Sequence, residues 1–286
     1  MRHSTRRIRG ARLARVALVA GAACGALPTL VRAQTQSVVE RERTEFQRWL
    51  ATAPVSPFRA VAQVPLGGGV TLGPEGSDVP LAGVRRHVAS ESGGKLTLQG
   101  PGGTRALPRG RPVALGAYTV VAAGAAGRSV LTVFQPAKAA ASVAYFPYDT
   151  MFSFVVRLEP PAHPGTVRLL AADGVEVDAA EAGTVTVLLG RSPTALTVRR
   201  VPSGPDESEL EIYFRDRTNG ATTYPSGRFV SLIPLRDNAY RLDFNRARNP
   251  YCAYSSAYAC PAPWPGNTLG VPVAAGEQYE KRPATP

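Results

Sequence analysis

Short apolar runs separated by glycine and proline clusters fill the chain from about Ala60 onward. Val70 to Leu72, Lys95 to Leu98, Tyr118 to Val121 and Ser129 to Phe134 form a first group. A second comprises Phe152 to Leu158, Thr166 to Leu170, Thr184 to Leu189, Leu196 to Val201, Leu210 to Phe214, Arg228 to Ile233 and Tyr240 to Phe244. Runs of this length without helical patterning between them predict antiparallel strands in sandwiches or barrels. Asp173-Gly174 and Asn219-Gly220 are hairpin-turn dipeptides. Upstream the period changes. Val39, Phe46, Trp49 and Leu50 recur at helical spacing, with Glu40 to Thr44 and Arg48 on the other side. Ser37-Val38-Val39-Glu40 reads as a capping box at the start of this amphipathic helix, and Pro54 and Pro57 end it. The predicted fold is mainly β: two antiparallel modules, over 59–135 and 143–282, preceded by a linker and helix over 34–58. The alanine-rich stretch Gln135 to Ser142 is the expected seam.

The first 33 residues have a different character. Arg2, Arg6, Arg7, Arg9, Arg12 and Arg15 precede an apolar stretch from Val16 to Val31, which ends in Val31-Arg32-Ala33. A basic start, a short apolar middle and a small-x-Ala end predict an export signal cleaved near Ala33-Gln34, hence a periplasmic or extracellular protein. A lipoprotein anchor at Cys24 is the weaker alternative, because Gly21 stands where a lipobox has leucine and the apolar run continues past the cysteine. Cleavage changes the charge. The full chain carries +12, from 33 basic and 21 acidic residues. Seven of the arginines precede residue 34 without any acid, leaving 26 basic against 21 acidic residues, or +5. The rest are dispersed, with Arg85-Arg86 and Arg199-Arg200 the densest pairs, so no nucleic-acid interface is expected. No apolar stretch of the mature chain is long enough to predict a membrane span.

Several chemistries lack their signatures. The phosphate-loop pattern G-x-x-x-x-G-K-S/T, the zinc pattern H-E-x-x-H and the hydrolase elbow G-x-S-x-G do not occur. With three histidines in all, no metal or cofactor is expected. The order Val70-Thr71-Leu72-Gly73, Ser77-Asp78-Val79 and Arg86-His87 resembles the early strands of forkhead-associated domains. Pro74 stands in place of that family's phosphate-binding arginine and Val84 in place of its serine, so the resemblance implies a small β-sandwich without phosphopeptide chemistry. Cys252 and Cys260, the two cysteines beyond the signal, read as a disulfide in an exported protein. A redox pair or metal site would require C-x-x-C spacing or a nearby histidine.

The densest motif runs from Phe214 to Glu277. Phe214-Arg215-Asp216-Arg217-Thr218-Asn219-Gly220 leads through Thr223-Tyr224 to Gly227-Arg228-Phe229. Asp243-Phe244-Asn245-Arg246-Ala247-Arg248-Asn249-Pro250-Tyr251-Cys252-Ala253-Tyr254 follows, then Cys260-Pro261, Asn267 and Ala275-Gly276-Glu277. This order resembles a bacterial family known only as a domain of unknown function (number one-six-eight-four). The chain departs from that pattern at Arg248 and Tyr251, where tyrosine and proline are usual, and at Ala262 and Trp264. The resemblance implies no activity.

Arg228 to Ile233 and Tyr240 to Asn245 flank a short connection and predict a hairpin. With Ile233 opposite Tyr240, Phe229, Ile233, Leu242 and Phe244 share a buried face, while Arg228, Asp243 and Asn245 share the other. Arg228 and Asp243 then form either a cross-strand pair that pins the register or the wall of a pocket gripping a carboxylate, phosphate or sugar hydroxyl. Sealing both residues from solvent would exclude the pocket. Ligand-binding candidates are Asp216, Tyr224, Arg228, Asp243, Asn245, Arg246, Asn249, Tyr251 and Glu277. The expected function is recognition of a cell-envelope glycan or small anionic ligand. A carboxylate-using hydrolase and a structural or protein-interaction module are the alternatives, and nothing fixes an oligomeric state.

Overall fold

The computed structural model describes residues 27–136, 142–204 and 207–280. The predicted signal, including Cys24, lies mostly outside the described residues, as does most of the expected seam. Among the described residues, one α-helix, α1 (Leu27–Thr52), precedes sixteen strands in three sheets, none of which closes into a barrel. The helix begins upstream of the expected capping box, so Ser37 lies in its interior, and it stops before Pro54. Val39 and Leu50 are buried where it docks. No described helix is long and apolar enough to cross a membrane.

The strands after α1 form two facing sheets. One orders β1 (Ala60–Pro65), β9 (Val130–Phe134), β8 (Tyr118–Ala123) and β7 (Val113–Leu115). The other orders β3 (Val79–Pro80), β2 (Val70–Gly73), β4 (His87–Ser92), β5 (Lys95–Gly100) and β6 (Gly103–Ala106). Leu72, Ala89 and Leu98 from the second sheet meet Val120, Leu131 and Val133 from the first in one core, as alternating inward residues of a sandwich do.

Seven antiparallel strands follow, in the order β10 (Ser153–Arg157), β16 (Ala239–Asp243), β15 (Arg228–Pro234), β14 (Glu207–Phe214), β13 (Ser192–Gly204), β12 (Glu176–Leu189) and β11 (Thr166–Leu170). Asp173-Gly174 turns β11 into β12 as predicted, with the Asp173 carboxylate accepting from the Val175 amide at 3.1 Å. Period-two alternation separates two faces of this sheet. Leu210, Ile212, Phe214, Val230, Leu232 and Leu242 join the main core beneath Val273 and Ala275 of the C-terminal segment. Tyr213 and Phe229 face the other way and stack at 4.1 Å, with Trp264 against both.

Two turn and register expectations are corrected. The β15–β16 pairing sets Leu232 opposite Leu242 and Pro234 opposite Tyr240, one residue from the predicted register. The connection is a turn at Asp237 and Asn238, both left-handed (φ 56° and 55°), with the Ala239 amide donating to the Arg236 carbonyl at 3.1 Å. Two positive φ values are what a type I′ turn requires. They occur at Asp-Asn and not at Asn219-Gly220, where Asn219 keeps a negative φ and uses its side chain to brace a longer loop. A slip of one residue reverses every side chain relative to the sheet. Arg228 therefore points toward the main core with Val230 and Leu232, and Asp243 lies on the opposite face.

The sandwich and the seven-stranded sheet are joined by polar contacts. Arg128 pairs with Glu176 at 2.6 Å and with Asp178. Gln63 donates to the Asp173 carbonyl at 3.0 Å, and the Ser255 hydroxyl donates to the Ala60 carbonyl at 2.8 Å.

Candidate functional site

The family-like motif folds into a sealed polar box. Arg228 is 0 % exposed and donates to Asp216 Oδ2 at 2.9 Å, to the Val273 carbonyl at 2.8 Å, and to the carbonyls of Ala275 and Glu277. Asp216 turns its other oxygen to the Thr218 amide (2.7 Å), the Thr218 hydroxyl (2.5 Å) and the Val273 amide (3.2 Å). Asn219 accepts from the Asp216 amide at 2.6 Å and donates to the Tyr224 carbonyl at 2.7 Å. The spacing F-x-D-x-T-N-G is thus a loop whose side chains satisfy its own backbone. Arg228, bound to Asp216 of this loop, holds the C-terminal segment by three carbonyls. Gly276 is required here: at φ 78°, a Cβ would stand 2.6 Å from the Ala247 carbonyl oxygen.

The other candidates divide between two neighbouring clusters. Asp243 and Asn245 are fully buried, and Asp243 Oδ1 accepts from the Asn245 amide (3.1 Å) and side chain (2.8 Å). Asn245 in turn clamps the backbone of Asp149, accepting at 2.9 Å and donating at 2.8 Å. Glu277 is equally enclosed. Its Oε2 accepts from the Asn249 amide at 2.8 Å and the Tyr254 hydroxyl at 2.6 Å. Burial pushes the Glu277 carboxyl up to about 7, against the lowering influence of Tyr254, Asn249, Arg248 and Arg228. The Tyr254 phenol rises well above its ordinary value for the same reason, with Glu277 adding to the effect.

The expected open face around Arg228, Asp243 and Asn245 is therefore a correction: all three are sealed, and Arg228 pairs with Asp216 instead of Asp243. Aromatic residues that could have offered a sugar a flat surface pack inward. Tyr251 meets Tyr254 and Tyr258 at 6.1 and 5.4 Å, and Trp264 is 4 % exposed. Tyr224 lies edge-on to Tyr279 at 4.8 Å and directs its hydroxyl at both sulfurs of the Cys252–Cys260 disulfide.

That disulfide closes a short loop between Cα atoms 5.5 Å apart. The loop carries Tyr258 onto Ala60 and Phe134 of the sandwich. Chain-entropy reasoning assigns a loop of this length about 2–3 kcal/mol. Cys252→Ser/Cys260→Ser should lower stability by that amount in urea unfolding followed by tyrosine fluorescence. Equal midpoints with and without reductant for the unaltered protein would show that the bridge adds nothing.

An accessible polar site lies elsewhere, between α1 and the face of the seven-stranded sheet turned away from the main core. A cleft of about 330 Å³ is lined by Val39, Glu42, Arg43 and Phe46 of the helix and Glu209, Ser231 and Ile233 of β14 and β15. Tyr145, Asn245, Arg246 and Arg248 complete it. Three guanidinium groups converge there. Arg43 lies over the Tyr145 ring at 4.7 Å and donates to the carbonyls of Phe146 (2.9 Å) and Asn245 (2.8 Å). Arg246 pairs with Glu42 at 3.0 Å. The buried Nε groups of Arg43 and Arg246 have no hydrogen-bond acceptor. Arg248 lies over Phe46 at 5.8 Å, and no carboxylate comes within ion-pair distance of it among the described residues. Burial opposes its charge, but Tyr251, Glu211 and Glu277 outweigh burial and raise its pKa.

Of the predicted site residues, only Asn245 and Arg246 line this cleft. The helical pattern predicts Arg43 on the polar face away from Phe46, but the two line the same cleft, since residues three apart are neighbours on one side of a helix. Arg248 carried one usable signal, its departure from the tyrosine of the family pattern. Among the described residues no group of three or more histidine, cysteine, aspartate or glutamate side chains is placed to hold a metal ion.

Residues 138–278 match the family described as "Protein of unknown function (DUF1684)". The match spans the seven-stranded sheet and the polar box and stops short of α1 and the sandwich. No curated protein matches the chain. Among solved structures, an uncharacterized protein from gene locus rrnAC0354 of Haloarcula marismortui is 31% identical, over 48% of this chain and 76% of that one, with a TM-score of 0.42.

Proposed function

The chain belongs to the DUF1684 family, and we propose that it serves as a binding module that takes a small anion into the cleft between α1 and the seven-stranded sheet. One observation carries this reading: Arg43, Arg246 and Arg248 line a single accessible cleft against two carboxylates, Glu42 and Glu209. A carboxylate or phosphate oxygen pairs with a guanidinium through charge-assisted hydrogen bonds, about twice as strong as neutral ones. A glycan is less well served, since the Phe46 ring already stacks on Trp49 at 5.6 Å and carries Arg248 on it. Hydrolysis by paired carboxylates has no support, because Asp216, Asp243 and Glu277 are all buried away from the accessible cleft. The export signal read from residues 1–33 would place the ligand in the cell envelope or beyond it.

Thermal unfolding in the presence of acetate, benzoate, phosphate, sulfate and neutral sugars tests the proposal. A ligand at a hundred times its Kd adds about 2.7 kcal/mol, and at least one anion should raise the midpoint by about 5 °C or more. Arg246→Gln should abolish the shift. No response to any anion, or an equal response in the variant, would refute anion binding in this cleft.

A further inference from the structure

We propose that the preferred ligand is a monocarboxylate with an apolar body, such as a medium-chain or aryl-substituted acid, an inference that rests on the anion cleft just described. The charge balance of the walls is the first reason. Arg43, Arg246 and Arg248 face two carboxylates, Glu42 and Glu209. Glu42 is paired with Arg246, and Glu209 accepts from the Ser231 hydroxyl at 2.7 Å. One positive charge is left unmatched, which a single negative charge neutralises. A phosphate dianion would add its second charge next to two fixed acids.

The second reason is how the lining is distributed. Val39, Phe46 and Ile233 supply apolar wall from the helix and from β15, and the Tyr145 ring adds to it beneath Arg43. Positions 39, 43 and 46 fall on one side of α1, so the helix presents an apolar, a cationic and an aromatic residue in sequence to the same space. A forked guanidinium takes a carboxylate through both oxygens, and the apolar walls are then in reach of whatever the carboxylate carries. The volume of about 330 Å³ is at the small end for ligand sites and suits a molecule of on the order of ten to fifteen non-hydrogen atoms.

Isothermal titration of the full chain with acetate, butyrate, octanoate, 3-phenylpropionate, octanamide and inorganic phosphate tests this inference. Octanoate should bind at least tenfold tighter than butyrate, and octanamide at least tenfold weaker than octanoate. Phe46→Ala should weaken octanoate much more than butyrate and so shrink the gain with chain length. Ile233→Ser provides the same comparison from the sheet side if the helix variant does not fold. Phosphate binding tighter than octanoate, lost in Arg246→Gln and indifferent to Phe46, would overturn the monocarboxylate and keep the anion cleft. Silence toward every anion would overturn both. Octanoate binding that survives Arg246→Gln and Phe46→Ala alike would be nonspecific adsorption and would also refute the inference.

Discussion

Asp216→Ala should destabilise the protein by about 3–5 kcal/mol, because it leaves the Arg228 guanidinium buried without a counter-charge. The loss should be seen as a lower urea midpoint. Asp216→Asn keeps an acceptor for the Thr218 amide and hydroxyl and should fall between the alanine variant and the unaltered protein. Arg228→Met should be as damaging as Asp216→Ala. It strands the carboxylate and also removes the donors that satisfy the carbonyls of Val273, Ala275 and Glu277. The two changes share one network, so the Asp216→Asn/Arg228→Met double variant should lose less than the sum of its parts. Additive losses, or a loss below about 1 kcal/mol for Asp216→Ala, would mean that the box is not the clasp of the C-terminal segment.

Stability should fall as pH rises from about 4.5 to above 7, and Glu277→Gln should flatten much of that fall. The Glu277 carboxyl titrates near 4.5 in the unfolded chain and at about 7 when folded. Between those values the folded form holds the extra proton, so raising the pH favours unfolding. The stabilisation from this group is complete below 4.5 and is lost as pH passes through 7. At about 1.4 kcal/mol per pH unit, the swing amounts to about 3 kcal/mol. Glu211 contributes in the same direction: burial and the charge of Glu209 push it up to about 7 as well. Glu277→Gln should therefore leave a residual slope, and Glu211→Gln/Glu277→Gln should remove most of it. Urea midpoints at half-unit steps from pH 4.5 to 8.5 provide the measurement. Midpoints of the unaltered protein that rise across this range would have the wrong sign and refute the assignment.

Strands are legible in the chain wherever glycine and proline bracket a run of β-branched and aromatic residues, as at Thr166 to Leu170 and Arg228 to Ile233. Strands built from mixed residues escape notice: His87–Ser92 and Gly103–Ala106 carry too few apolar positions to stand out. The helix is legible through Val39, Phe46 and Leu50, but its start is not. Ser37 forms no cap when the helix continues upstream of it, since the amides a cap would serve already have partners. The hairpin shows how local a failure can be. Both strands and their approximate ends are found, yet a left-handed turn at Asp237-Asn238 moves the pairing by one residue, which exchanges the faces of Arg228 and Ile233.

The same limit governs the candidate site. The motif marks polar residues that do find partners, but they divide among an enclosed Arg228–Asp216 clasp and separate buried clusters instead of sharing an open face. Residue type and spacing say that Arg228, Asp216, Asn245 and Glu277 need partners. Whether those partners are ligand atoms or backbone carbonyls depends on the return of Val273 to Glu277 across the sheet, a contact made some 45 residues away in the chain. The cleft has less sequence signal still, because its arginines come from a helix and a loop 200 residues apart. By itself the sequence determined the family, the mainly β architecture and the cysteine pairing, since those follow from local periodicity, motif order and the shortage of alternatives. Only the tertiary structure decided which arginines are spent on holding the fold and which line a cleft, because burial is set by long-range packing that no local pattern encodes.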